Sequence, residues 1–507
     1  MSAIPSFVQR PQLTRFHQRV NRKPVTSRIW KPSTCMKIHL ALIGVCALVV
    51  YAFPAAEALV ISGVLVGAPM LFLGIVEARR DPLWLNPLSV FLLFLGIQLG
   101  PAAVYVGINL LGEGSLQFSL LRIPAHDVAL GYLITLIGTF AMHFGLRAFR
   151  PVVQWHDQTP INWKPLWILP LYTLGIAGIY RPSAFLFLGI FGGVLQWGCM
   201  ATLLAFAFSS ANVRGTLVIR LLFAAGVAVY VLTAFFGDNS SKSYTMLAFL
   251  PAIVFVSRRQ QYYKWIPVAI IFLGVLYLGI VAPAVNRSRM VKEGDSYNKI
   301  MVGLRSSSPF YTDEPFILSI ENQFQGLMGR LFEVPQVTGF MVGEVKRSGL
   351  QLGSTMKDLY YAFIPRIVWP GKPLVSRGAW FTTYLGMAPR EAEATTSTGM
   401  TVVGEWYWNF GVLGVVVGMF LTGALLSGLW RLAGSYPIHQ PANMVLYVAL
   451  IINVLNLPDA TSPLVSAVAL YLLFGSLIYL RKLGRKMAPP PRPAAMRPFV
   501  PTLPNRF

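Results

Sequence analysis

The sequence is short of charge. Only 12% of its 507 residues are Asp, Glu, Lys or Arg, about half the share usual in a soluble globular protein, which excludes a soluble enzyme. Cysteine is almost absent. Cys35, Cys46 and Cys199 all fall in or beside apolar runs, so neither a disulfide framework nor a Cys-based metal site is implied. The six histidines show no grouping with metal-ligand spacing. No Walker-type glycine loop exists to cradle nucleotide phosphates, which argues against ATP-driven chemistry. Also missing are an internal repeat and a pair of Gly/Pro-interrupted segments at matching places in two halves, the pattern many transporters carry.

What the chain has instead is apolar length. Hydrophobic runs recur from about Ile38 to Leu480, and a hydrocarbon core of roughly 30 Å is crossed by about 20 helical residues. Spans are expected near 38–53, 56–76, 87–110, 128–146, 165–180, 183–208, 217–236, 243–257, 265–285, 405–430, 442–457 and 463–480. The fold class is therefore an all-α integral membrane protein with about 12 transmembrane helices. The first apolar run lacks a small-residue cleavage site and is followed at once by a second, so it reads as a retained span.

A net charge of +23 on one surface would suggest a nucleic-acid partner, but its distribution says otherwise. With an even number of spans, 26 of the 42 basic residues fall on one side, against only Glu77, Asp81 and Asp157. The remaining acids and bases cancel, so the whole net charge is the orientation signal of a membrane protein. Both termini are expected in the cytoplasm and no nucleic acid as a partner. The expected organisation is a basic segment 1–37, helices over 38–285, a large periplasmic loop 286–404, helices over 405–480 and a basic, Pro-rich tail 481–507.

Loops of this length are uncommon without a role, and membrane scaffolds keep functional residues in them. Within it, residues 315–332 and 352–363 show apolar residues at helical spacing, predicting two amphipathic helices that cover a lipid-facing cavity. The loop's cations cluster: Arg287 and Arg289 where a span ends, Arg330 on the border of the first amphipathic stripe, and Arg366, Lys372 and Arg377 within twelve residues. Arginine offers a planar fork and lysine a point charge to phosphate oxygens; the plainer alternative is snorkelling to lipid headgroups. Glu405 opens a span, either complementing the helix dipole or serving as a partly desolvated carboxylate that accepts a proton from a hydroxyl. His126, followed by Asp127, offers a second base with an orienting partner, or simply a helix cap.

The strings Phe363-Ile-Pro-Arg-Ile-Val-Trp-Pro-Gly-Lys-Pro373 and Gly404-Glu-Trp-Tyr-Trp-Asn-Phe-Gly411, in that order, resemble the bacterial oligosaccharide repeat-unit polymerases of the Wzy, or O-antigen polymerase, type. The resemblance covers roughly residues 230–425. It implies a GT-C-like inner-membrane glycosyltransferase that joins undecaprenyl-diphosphate-linked oligosaccharides at the periplasmic face. Neither cofactor nor metal is expected; membrane lipid and a chain-length regulator protein are the further partners. A family turn of Gly-Ser-Arg type is replaced by Gly237-Asp-Asn-Ser-Ser-Lys242, which makes Lys242 the stand-in for its arginine. On this reading Arg366 and Lys372, with Arg287 or Arg289, stabilise the departing diphosphate and Glu405 is the base. The alternatives are an O-antigen ligase, which transfers the glycan to a lipid acceptor, and a non-enzymatic transporter or flippase, for which charged residues lining several spans are expected.

The charge distribution yields a test of topology. A Ser307→Cys label in an otherwise Cys-free chain should react with impermeant reagent from the periplasmic side only; labelling from the cytoplasm alone would invert the whole orientation.

Overall fold

The computed structural model describes residues 32–79, 86–118, 121–151, 324–325, 328–362, 364, 368–369, 371, 377–391, 398–434, 441–455, 457 and 459–487. The elements are α1 (Pro32–Ala52), α2 (Ala55–Arg79), α3 (Pro87–Gln98), α4 (Pro101–Glu113), a short antiparallel hairpin of β1 (Ser115–Phe118) and β2 (Leu121–Pro124), α5 (Ala125–Ala148), α6 (Glu333–Ser348), α7 (Leu359–Ala362), α8 (Arg377–Tyr384), α9 (Val402–Ala433), α10 (Pro441–Leu455) and α11 (Thr461–Met487). Among the described residues, five helical stretches are long and apolar enough to cross a membrane: α1, α2, the α3–α4 run over Pro87–Glu113, α5 and α9. The apolar parts of α10 and α11 are shorter. Of the expected spans, the five between 165 and 285 lie outside the described residues, and the other seven are helical.

Local chemistry sets several of the boundaries. Asn86 accepts from Ser89 N (2.8 Å) while Ser89 Oγ accepts from Asn86 N (3.1 Å), and Pro87 occupies the first helical position of α3. The span expected over 87–110 is divided at Leu99–Gly100, where Pro101 begins a new helix. Gly114 ends α4 in the left-handed region, at φ +64°.

Glycine decides how the helices meet. Gly67 and Gly100 bring α2 and the α3–α4 run into backbone contact: a Cβ on Gly67 would lie 2.5 Å from Gly100 Cα. Such close approach lets dispersion act between helices that lipid surrounds on other faces. On α5, Gly131, Gly138 and Gly145 recur every seventh residue, close to two helical turns, and form one seam. At Gly131 the seam meets α6, where a Cβ would stand 2.3 Å from Gly339 N. At Gly138 it meets Val403, Val415 and Met419, and at Gly145 a Cβ would stand 2.3 Å from Phe420 O. Next to this seam Asp127 of α5 bonds Lys346 of α6.

At the opposite end of α5 the charges are mutually satisfied. Fully buried Glu77 of α2 accepts from Arg147 and, at 2.9 Å, from Arg150, whose guanidinium lies 5.2 Å from the centroid of the Trp430 ring. Arg147 Nε donates to His143 Nε2 at 2.9 Å, and His143 Nδ1 stands 3.1 Å from Nδ1 of His39. Since guanidinium can only donate, His143 carries its proton on Nδ1 and passes a directed hydrogen bond to α1. The basic groups that the sequence places on one side of the membrane thus include two that hold α2 and α5 together.

One expectation for the long loop changes. Residues 352–363 are not one amphipathic helix: Leu352 (φ +48°) and Gly353 (φ +92°) turn the chain, and a 3₁₀ turn, Ser354–Met356, is followed by the single turn α7. Of the helix expected over 315–332, residues 315–323 and 326–327 lie outside the described residues, while 324–325 and 328–331 are helical and lead into α6, which begins at Glu333.

The seam carries a stability prediction. Gly131→Ala should lower the thermal midpoint in detergent, since the added methyl meets backbone that cannot give, an overpacking cost of about 1–3 kcal/mol. Gly44→Ala on α1, where a Cβ meets nothing within 4 Å, should not lower it. Equal midpoints would mean that α5 and α6 do not pack along that glycine.

Candidate functional site

The site is built around a broken helix. α9 starts with Thr401, whose Oγ1 accepts from Gly404 N at 3.1 Å, and its first segment, 402–410, stops at Gly411 (φ +65°, ψ −158°). In a continuous helix residues 406 and 418 would be about 18 Å apart, yet a Cβ on Gly418 would stand 2.1 Å from the Trp406 ring. The first segment therefore folds back beside the second. Breaking a helix strands the carbonyls of its last turn. Two of them find donors in the long loop: Gln351 N reaches Trp408 O (3.0 Å) and Leu352 N reaches Asn409 O (3.1 Å). The Asn409 side chain completes the junction, accepting from Gly353 N at 2.8 Å and donating to Thr355 Oγ1 at 2.7 Å.

Glu405 sits on this folded-back segment with no exposed surface. One carboxylate oxygen accepts from Thr355 Oγ1 (2.8 Å) and from Arg377, and the other from Ala460 N (2.8 Å). Arg377, the first residue of α8, also donates to Thr355 O at 2.9 Å and to Thr461 Oγ1. The adjacent Asp459 caps α11 by accepting from Thr461 N (2.9 Å) and Ser462 N (2.7 Å). One buried ion pair thus ties together the long loop, α8, the start of α9 and the start of α11. A buried carboxylate is tolerable only with such partners.

Against this knot lies a cavity of 440 Å³ whose lining includes Gln351, Thr355, Lys357, Asp358, Tyr361, Arg377 and Glu391. One wall is aromatic: Trp380, Tyr384 and Trp408 lie with ring centroids 5.2 to 6.3 Å apart. Tyr384 Oη donates to Glu344 Oε2 at 2.5 Å, and the same oxygen accepts from Arg347 at 2.6 Å. Burial, reinforced by that hydrogen bond, pushes the Tyr384 phenol up to about 12, so it stays protonated and fixed as a donor. Tyr361 is held by Asp358, and this hydrogen bond raises its phenol too. Among the described residues no group of three or more His, Cys, Asp or Glu is arranged to hold a metal ion.

The residues singled out in the sequence fare differently. Glu405 is central to the knot, but Arg377 and Thr355 face the cavity in front of it. Arg366, Lys372, Arg287, Arg289 and Lys242 lie outside the described residues. Arg330 is half-buried in the helical turn before α6. His126 is exposed on the first turn of α5, and the residue expected to orient it, Asp127, is bonded to Lys346. The sequence grouped Arg377 with Arg366 and Lys372 but gave it no role, and Trp380 and Tyr384 drew no attention. The available signal was the pairing of a lone acid in an apolar helix with a demand for a buried cation, together with aromatics at i and i+4 directly after Arg377.

The ion pair predicts non-additive stability. Glu405→Gln or Arg377→Gln alone should destabilise the protein, by about 3–5 kcal/mol where an unpaired charge is left buried. The double variant should cost less than the sum of the two. Thermal midpoints of the four proteins close the cycle, and strict additivity would mean that the two groups do not interact.

No curated protein and no solved structure matches the chain. Residues 168–437 match a family described as Domain of unknown function (DUF8712), an interval that contains every cavity residue named above but ends before Ala460 and Thr461. Because the match covers more than half of the 507 residues, the chain belongs to that family.

Proposed function

We propose that this protein is a glycosyltransferase of the bacterial inner membrane that joins undecaprenyl-diphosphate-linked oligosaccharide repeat units at the periplasmic face, as a repeat-unit polymerase does. The observation that carries the reading is a cavity beside a helix long and apolar enough to cross a membrane, faced by a guanidinium that a buried carboxylate holds in place. The motif order in the long loop and the one-sided distribution of basic residues point the same way, with both termini cytoplasmic.

In the reaction, a hydroxyl oxygen at the non-reducing end of one repeat attacks the anomeric carbon of the growing chain. The bond from that carbon to the diphosphate oxygen breaks, and undecaprenyl diphosphate departs with the electron pair. Arg377 is the described group suited to meet the negative charge that develops on the leaving oxygen, with Arg366 and Lys372 as further cations from the same loop and Arg287, Arg289 and Lys242 as more distant ones. Glu405 acts as a positioning residue: it accepts three hydrogen bonds and fixes the guanidinium. The hydroxyl proton then goes to a carboxylate of the lining, Asp358 or Glu391, rather than to Glu405. A chain-length regulator protein is the natural macromolecular partner of such an enzyme.

Purified protein in liposomes, given lipid-linked repeats from its own host, should produce a ladder of polymer. Arg377→Ala should lose about a hundred-fold in rate or more, the usual cost of removing one charge-stabilising donor. Loss of the ladder with retained transfer of finished glycan to a lipid acceptor would replace the polymerase reading with the ligase one.

A further inference from the structure

We infer that the wall formed by Trp380, Tyr384 and Trp408 is a subsite for a pyranose ring, which takes a sugar of the glycan independently of its lipid diphosphate. The inference deepens the polymerase reading by naming the part of the substrate this wall receives, and glycan binding can be measured with or without turnover.

The rings form a broad, fixed surface. Trp380 lies at 27° to Tyr384 and at 30° to Trp408, while Tyr384 and Trp408 meet at 58°, so the Trp380 plane is intermediate between the other two and the wall is curved rather than flat. Tyr384 cannot swing away, because Glu344 holds its hydroxyl. Trp408, only 2% exposed, backs the two more accessible rings rather than presenting a face of its own, and it belongs to the folded-back segment whose carbonyls the loop has capped. A surface held rigid before binding loses little side-chain entropy when a ligand arrives.

The rest of the lining says what kind of ligand suits this surface. Its charged members are two cations, Lys357 and Arg377, and two anions, Asp358 and Glu391, and between them lie the uncharged donors and acceptors Gln351 and Ser354. With Arg377 already paired to Glu405, such a set carries no excess of positive charge. It can both give and take hydrogen bonds around its edge while an apolar face closes one side. A pyranose has the complementary pattern: C–H faces that lie on aromatic rings, whose π faces are electron-rich, and equatorial hydroxyls that donate and accept in the ring plane. A bare isoprenoid chain would leave these polar groups unmatched, and a free phosphate would leave the aromatic wall unused. The volume of 440 Å³ falls within the range of small-molecule sites, about 300–1,000 Å³.

The test uses the oligosaccharide released by mild acid from the host's own surface polysaccharide, free of lipid and diphosphate, titrated calorimetrically into the full-length protein in detergent. Binding should be saturable. Trp380→Ala and Tyr384→Ala should each weaken it about ten-fold or more, as loss of a central aromatic contact does, while Tyr384→Phe, which keeps the ring, should change it less than about three-fold. Thermal midpoints confirm that each variant is folded, and Gly44→Ala serves as the unaffected control. No saturable binding by the wild-type protein, binding of undecaprenyl phosphate only, or affinity unchanged in both folded alanine variants would overturn the subsite. Glycan binding of the expected pattern in a protein that makes no polymer would keep the subsite and remove the polymerase assignment instead.

Discussion

A helix that breaks inside an apolar protein must find new donors for the carbonyls it strands, and at Gly411 this requirement organises the structure around it. Backbone N–H groups of residues 351 and 352 meet the carbonyls of Trp408 and Asn409, which draws the long loop against α9. The break also turns residues 402–410 back beside the span, so that Trp408 faces a cavity and Glu405 faces inward. Without the left-handed glycine the same residues would lie along one continuous rod. The loop would then have no carbonyls to cap.

Charge follows from that geometry. Glu405 is fully buried and the Arg377 side chain is 10% exposed, toward the cavity, and neither could be buried alone without a penalty of several kcal/mol. Together, with Thr355, Ala460 and Thr461 supplying further hydrogen bonds, they form a neutral unit that fixes the guanidinium against the cavity. A guanidinium held this way is oriented in advance, which in the reaction proposed above would keep reorganisation small as charge develops nearby. The opposite end of α5 uses the same rule, with Glu77 between Arg147 and Arg150, but there the pairs join helices.

The sequence made the spanning helices legible because apolar length is a local property: α1, α2, α5 and α9 each begin or end within a few residues of the expected spans. It made the wrong helix legible at 352–363, where apolar spacing is present but Gly353 and Leu352 adopt positive φ. α6 escaped notice for the opposite reason. Its sequence mixes Glu333, Glu344, Lys346 and Arg347 with apolar residues, and its burial depends on Gly339 meeting Gly131 some two hundred residues away. Glu405 could be picked out as an acid in an apolar setting, but its partner could not. Arg377 lies 28 residues earlier among similar cations, and only the fold-back at Gly411 decides which of them it reaches. The aromatic wall is hidden likewise, since it combines two rings of α8 with one from a helix segment whose direction spacing alone does not reveal.

Because Glu405 takes one of its hydrogen bonds from Ala460, 55 residues further along the chain, the site has an order of assembly built into it. At typical synthesis rates those residues take roughly three to ten seconds to emerge. During that interval α9 exists while the start of α11 does not, and the carboxylate lacks the backbone donor of Ala460 and the hydroxyl of Thr461 that steadies Arg377. The support behind the cavity is thus completed late in biogenesis, and a chain that stops before α11 leaves the buried carboxylate short of one of its three hydrogen bonds.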